Sequence, residues 1–126
     1  MEKHTVLNQS EWHVMECLWE KPHTLMELVA SLGTSVGWSK STVATVIRRM
    51  EEKGIVDYEE RGRTKTFYPA LPREEVTTRE TRNLLQRAYH GSIGLLVSAM
   101  AQADGLTKAD IDEIYAILKK AEEDAK

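Results

Sequence analysis

The sequence predicts a mainly α fold with a small β-hairpin wing: an N-terminal winged helix-turn-helix over residues 1–70, then a helical dimerisation region over 71–126. Three observations predict it. Short helical periods follow one another with tight connections up to Gly54; extended patterning interrupted by a glycine follows directly; and from Pro72 onward the spacing is helical again.

Residues 1–7 show no period and read as a loose arm. The first helix begins near Asn8, because Asn8 and Glu11 stand at the spacing of a reciprocal capping pair. Trp12, Met15, Leu18 and Trp19 form its apolar stripe, and Pro22 ends it at Lys21 or earlier by restricting the residue before it. Thr24 and Glu27 repeat the capping spacing for a second helix, with Leu25, Leu28, Val29 and Leu32 as its stripe and Gly33 as its stop.

The third helix, within Trp38 to Gly54, is the candidate recognition element. Val43, Val46, Ile47 and Met50 recur at a spacing that gathers them on one side, which predicts burial there. The other side collects Ser41, Thr42, Thr45, Arg48, Arg49 and Glu52, with no large apolar residue to hide. Ser39 is placed to cap the first turn and Gly54 to cap the last. An ordinary surface helix looks the same, so its neighbours must decide.

After Gly54, Ile55, Val56 and Tyr58 lead into the polar turn Glu60-Arg61-Gly62-Arg63, and Thr64, Thr66, Phe67 and Tyr68 lead out to Pro69. This predicts a two-stranded hairpin with glycine at its tip. Arg61, Arg63 and Lys65 then fall where a wing meets the phosphate backbone beside a groove-bound helix. The competing reading is an unrelated small α+β domain whose hairpin carries solvated charge.

Pro72 marks the start of a long helix from about Arg73 to Tyr89, apolar in its later half at Leu84, Leu85, Ala88 and Tyr89. Gly91 and Gly94 weaken the pattern before a dense apolar stretch of Ile93, Leu95, Leu96, Val97 and Met100, and Gly105 breaks it again. Leu106 and Ile111 bracket Thr107 as a hydrophobic staple does, and Asp110 completes the cap. The last helix carries Ile111, Ile114, Tyr115 and Leu118 on one face and dissolves from Glu122 onward. These stripes need a cover. A second copy supplies it in one reading, and an intramolecular three-helix cap in the other.

Composition narrows the function. The chain is 41% hydrophobic and 29% charged, with no apolar run near bilayer length and no secretory leader pattern, which predicts a soluble cytoplasmic protein. The single Cys17 forms no internal disulfide. A net charge of −3 speaks against general stickiness to DNA. Its distribution is uneven, because Trp38 to Phe67 holds seven basic and five acidic residues, a local +2. The four histidines are scattered, and no phosphate-cradling loop or nucleophile-base pairing stands out, so an enzyme and a cofactor are not expected. His13 and Cys17, four apart, either share a helix face as two possible metal ligands or are separate, with Cys17 a small packed thiol.

Together the motifs resemble the BlaI/MecI/CopY repressors of β-lactamase, methicillin-resistance and copper-transport operons. The likeness is carried by Ser10-Glu11-Trp12, Val14-Met15 and Trp19; by Trp38-Ser39, Thr42-Val43 and Thr45; and by Arg49-Met50 with Lys53-Gly54. Gly62-Arg63 with Phe67-Tyr68, Tyr89 with Gly91-Ser92, and Ile111 to Leu118 extend it. The resemblance implies a homodimer that binds inverted repeats resembling TACA and TGTA. It would place Ser41, Thr42, Thr45 and Arg49 in the groove, Lys40 and Arg48 toward phosphate, and Arg63 on the backbone or minor groove. Trp38 lies at the groove edge or packs. Leu84, Leu85, Tyr89, Ile93, Leu96, Val97, Met100, Ile111, Ile114, Tyr115 and Leu118 are the dimerisation candidates.

Two departures bear on induction. The copper-responsive members carry C-terminal cysteine-x-cysteine motifs, and this chain has no cysteine after Cys17. The β-lactam-responsive members are cut at an Asn-Phe bond where this chain has Ser98-Ala99. An inducing protease of other preference, a small effector or a metal held by other ligands all stay open. A winged-helix module that docks a protein, without sequence-specific DNA binding, is the alternative function.

Overall fold

The computed structural model describes residues 7–103 and 105–125. The chain runs α1 (Gln9–Glu20), β1 (His23–Thr24), α2 (Leu25–Val36), α3 (Lys40–Lys53), β2 (Val56–Arg61), β3 (Thr64–Pro69), α4 (Arg73–Tyr89), α5 (Ile93–Ala103) and α6 (Lys108–Asp124). The mainly α fold with a β wing expected from the sequence is what these elements build. Among the described residues, those up to Asn83 form one compact unit and those from Leu84 onward another.

Local chemistry sets the helix starts. Asn8 Oδ1 accepts from the Glu11 amide at 2.9 Å while Glu11 Oε1 accepts from the Asn8 amide at 3.0 Å, a complete capping box. Thr24 and Glu27 repeat it on α2. The backbone N–H of Thr24 holds the Glu27 carboxyl below its usual range. That part of the cap is therefore present at neutral pH and fades as pH falls through the lowered value. Asn8→Ala is expected to cost about 1 kcal/mol of stability, read as a lower urea midpoint with an unchanged slope.

Two expectations at helix ends are corrected. Leu7, read as part of the loose arm, is buried against the core. It occupies the position before the Asn8 cap, where an apolar side chain folds back onto the helix start, and a single residue has no period to reveal it. Residues 1–6 of that arm lie outside the described residues. Gly33 does not stop α2, which continues to Val36 and is closed by Gly37 in the left-handed region at φ 73. One interior glycine costs only about 1 kcal/mol relative to alanine, too little to end a helix whose next turn packs Val36 against the core. On α3, Ser39 and Gly54 cap the two ends as the sequence predicts.

The sheet has three strands in the order β1-β3-β2, not the two of the predicted hairpin. β1 pairs His23 with Phe67 and Thr24 with Thr66, and two residues are too few for an alternating pattern to announce a strand. The turn is also tighter than predicted. Glu60 and Arg61 are strand residues opposite Lys65 and Thr64, so only Gly62 and Arg63 bridge the strands. Gly62 has φ 62 and Arg63 is not among the positive-φ residues, the type II′ pattern that matches strand twist.

Val14, Met15 and Leu18 of α1, Leu28 and Leu32 of α2, and Val43, Ile47 and Met50 of α3 meet Ile55, Val56, Phe67 and Val76 in one core. In the second unit, α6 starts at a Thr107–Asp110 capping box and runs through Asp124, past the predicted fraying at Glu122. A Lys120–Asp124 pair at 3.6 Å, one helical turn apart, supports that last turn.

Candidate nucleic-acid interface

α3 is held from behind and open in front. Val43 and Met50 are fully buried and Ile47 nearly so. On the opposite face Ser41, Thr42, Thr45 and Arg49 come together around a shallow depression of about 250 Å³. Four of the six predicted recognition residues therefore share one surface. Val46, read as core-facing, packs against the core as a half-buried side chain and also borders that depression. A methyl-bearing side chain there suits contact with a thymine methyl. Ser39 Oγ accepts from the Thr42 amide at 3.2 Å and lies 3.1 Å from both the Ser41 and Thr42 hydroxyls, which orients the first turn.

Lys40 is exposed at the first turn. Arg48 lies one row away, toward the wing, 3.6 Å from Glu52. With Arg63 and Lys65 it borders a second groove of about 450 Å³, whose apolar lining includes Leu25, Ile47 and Phe67 and whose edge carries Glu51. Met26, exposed at the start of α2, borders it too and had no motif to mark it. Lys65 Nζ also sits 4.2 Å above the Tyr58 ring.

The wing cations divide. Arg61 pairs with Thr64 and Lys65 with Glu60, and successive residues of a strand alternate faces. Arg61 therefore borders a different groove, with Pro22, Glu59, Thr66 and Tyr68, and its Nη2 is 3.8 Å from Glu59. Lys53, counted in the basic surplus, is spent elsewhere. Its ammonium pairs with Glu11, a carboxylate only 4% exposed that also caps α1, so it ties the end of α3 to the start of α1.

Trp38 packs edge-on against His13 with centroids 5.8 Å apart. Burial, then the Glu20 and Glu16 carboxylates, raises the Cys17 thiol pKa and disfavours the thiolate that binds metal. Among the described residues no three metal-ligating side chains stand together.

In the second unit the candidates Leu84, Leu85, Tyr89, Leu96 and Ile114 are half buried, while Ile93, Val97, Met100, Ile111, Tyr115 and Leu118 are exposed. Leu95 and Ile117 are exposed as well; Ile117 falls outside the predicted stripe. Among the described residues no helix is long and apolar enough to cross a membrane.

Comparison with known proteins agrees with this architecture. A family model described as penicillinase repressor matches residues 7–120. The chain is 24% identical over 115 residues to the methicillin resistance regulatory protein MecI of Staphylococcus aureus, covering 90% of this chain and 94% of that one. It is 25% identical over 121 residues to the penicillinase repressor of Bacillus licheniformis, covering 95% and 94%. An uncharacterised 16.5 kDa protein of Latilactobacillus sakei is 26% identical over 113 residues, covering 89% and 77%. With the family model spanning most of its length, the chain belongs to the penicillinase repressor family, a family of transcriptional repressors and not of enzymes.

Proposed function

We propose that the protein is a homodimeric, sequence-specific repressor that occupies a palindromic operator with TACA- and TGTA-like half-sites. In doing so it blocks transcription of an operon of the resistance or metal-homeostasis type. The observation that carries this reading is the single surface formed by Ser41, Thr42, Thr45 and Arg49. Short hydroxyls can bond base edges or touch thymine methyls, and a guanidinium can fork onto guanine. Lys40, Arg48, Arg63 and Lys65 contact phosphate on either side, and Arg61, on the other face of the wing, adds only to the local potential. The exposed apolar side chains of α5 and α6 bury against a second copy, whose two-fold symmetry matches a palindrome. Such a protein works in the cytoplasm, with DNA and its own copy as partners.

Two substitutions separate base reading from backbone contact. Thr45→Ala is expected to cost about 1 to 3 kcal/mol on the correct site and little on random duplex. Arg63→Ala is expected to weaken both duplexes alike and to reduce the salt slope by about 1. Anisotropy titrations of both duplexes over a salt series check this. Equal losses on the two duplexes for Thr45→Ala contradict the groove assignment.

A further inference from the structure

We propose that the groove bordered by the start of α2, by α3 and by the wing binds a small amphipathic monoanion, a carboxylate on an aromatic or branched aliphatic body, and that this ligand displaces DNA. The displacement, though not the binding, rests on the DNA-binding reading above. Every residue that lines the groove belongs to the first compact unit, so the site needs nothing from the second.

The groove has a volume of about 450 Å³, and small-molecule sites commonly hold roughly 300 to 1,000 Å³. Its lining is of two kinds. Leu25 and Met26 of α2 border it together with the buried Ile47 and Phe67. Met26 is 57% exposed, an apolar surface that gains from leaving water and offers nothing to a phosphate. Arg48 of α3, Arg63 of the turn and Lys65 of β3 border the same groove. A nucleic-acid backbone accounts for the cations and leaves the apolar lining unused. An apolar body with one anionic end uses both.

Charge sets the valence of the ligand. Among the described residues Arg63 and Lys65 stand in no ion pair. Arg48 is 3.6 Å from Glu52, and Glu51 lies at the edge of the groove. Two carboxylates offset two of the three cations at most, and a single negative charge matches the remainder. A guanidinium such as that of Arg63 suits a carboxylate, whose two oxygens it can hold in a fork. On the DNA-binding reading these same three cations reach phosphate, so ligand and duplex compete for them.

The test uses the full-length protein labelled with carbon-13 at its methionine methyls. This places one reporter in the groove at Met26, two in the core at Met15 and Met50, and one on α5 at Met100. The probes, added without DNA, are 2-naphthoate, its neutral carboxamide and inorganic phosphate. The naphthoate should shift the Met26 methyl with a dissociation constant of about 0.1 to 1 mM and leave Met100 in place. It should bind about tenfold tighter than either other probe, and Arg63→Ala should weaken it about tenfold. Equal binding of the carboxamide or of phosphate overturns the proposal, as does a Met100 shift that tracks that of Met26. Anisotropy titrations of the preferred duplex then include naphthoate at about ten times its dissociation constant, where strict competition lowers DNA affinity about tenfold. Unchanged DNA affinity overturns the displacement. Protein that binds naphthoate at Met26 but no duplex supports the site and overturns the DNA-binding reading, so the two failures are distinguishable.

Discussion

On the proposed dimeric reading, Leu118→Glu is expected to lower operator affinity by about a hundredfold by splitting the dimer. Leu118 is 57% exposed on α6 and Tyr115, beside it in the same depression, is 69% exposed. Side chains this large and this exposed, with Ile93 and Met100 on α5, have an apolar cost in water that the proposed partner's face would remove. A carboxylate placed there must be desolvated or must hold the faces apart. Because the substitution lies on an exposed helix face outside the first unit, the core around Met15 and Met50 should remain folded. Sedimentation should find wild type as a dimer and the variant as a monomer, with affinity for a single half-site retained. A variant that stays dimeric places the interface elsewhere.

The second large effect is on stability. Met50→Ala is expected to cost about 2 to 5 kcal/mol, because deleting a buried side chain loses its transfer free energy and leaves a cavity. Met50 has no exposed surface and lies on the buried side of α3, in the core that includes Met15, Leu28 and Ile55. Against a typical total of about 5 to 15 kcal/mol, that loss is a large share. Urea unfolding should show the lower midpoint. Thr45→Ala, on the opposite face of the same helix, should leave the unfolding free energy within about 0.5 kcal/mol of wild type while relaxing base preference. The pair of variants separates what holds α3 from what α3 presents.

What was legible in the sequence was local. The Asn8–Glu11, Thr24–Glu27 and Thr107–Asp110 boxes are set by residues three apart, and the structure forms all three. The buried side of α3 is likewise a matter of period. What was hidden depends on residues far apart in the chain. β1 exists only because Phe67 and Thr66 lie alongside His23 and Thr24. Arg61 and Lys65 look equivalent in a list of basic residues, and only the strand register turns them to opposite faces. Lys53 counts toward a positive surface until Glu11, 42 residues earlier, takes its charge. Gly33 was the expected stop of α2, and the packing of Val36 on the core carries the helix past it to Gly37.

The electrostatic picture changes accordingly. The basic side chains of the proposed interface are Lys40, Arg48, Arg49, Arg63 and Lys65, with Arg48 also 3.6 Å from Glu52, while Arg61 is turned away and Lys53 pairs with the buried Glu11. On the proposed reading, so few phosphate contacts predict modest affinity for random DNA and a measurable but limited salt slope. On that reading, base preference comes from the hydroxyls and Arg49 on the face of α3.

The most direct test is a selection from random duplexes at near-physiological salt, using purified full-length protein and sequencing what is retained. The proposed function predicts an enriched palindrome with TACA- and TGTA-like half-sites, with centres about 10 base pairs or a multiple apart. Retention of duplexes without any enriched sequence would contradict sequence-specific repression and favour a surface that docks a protein.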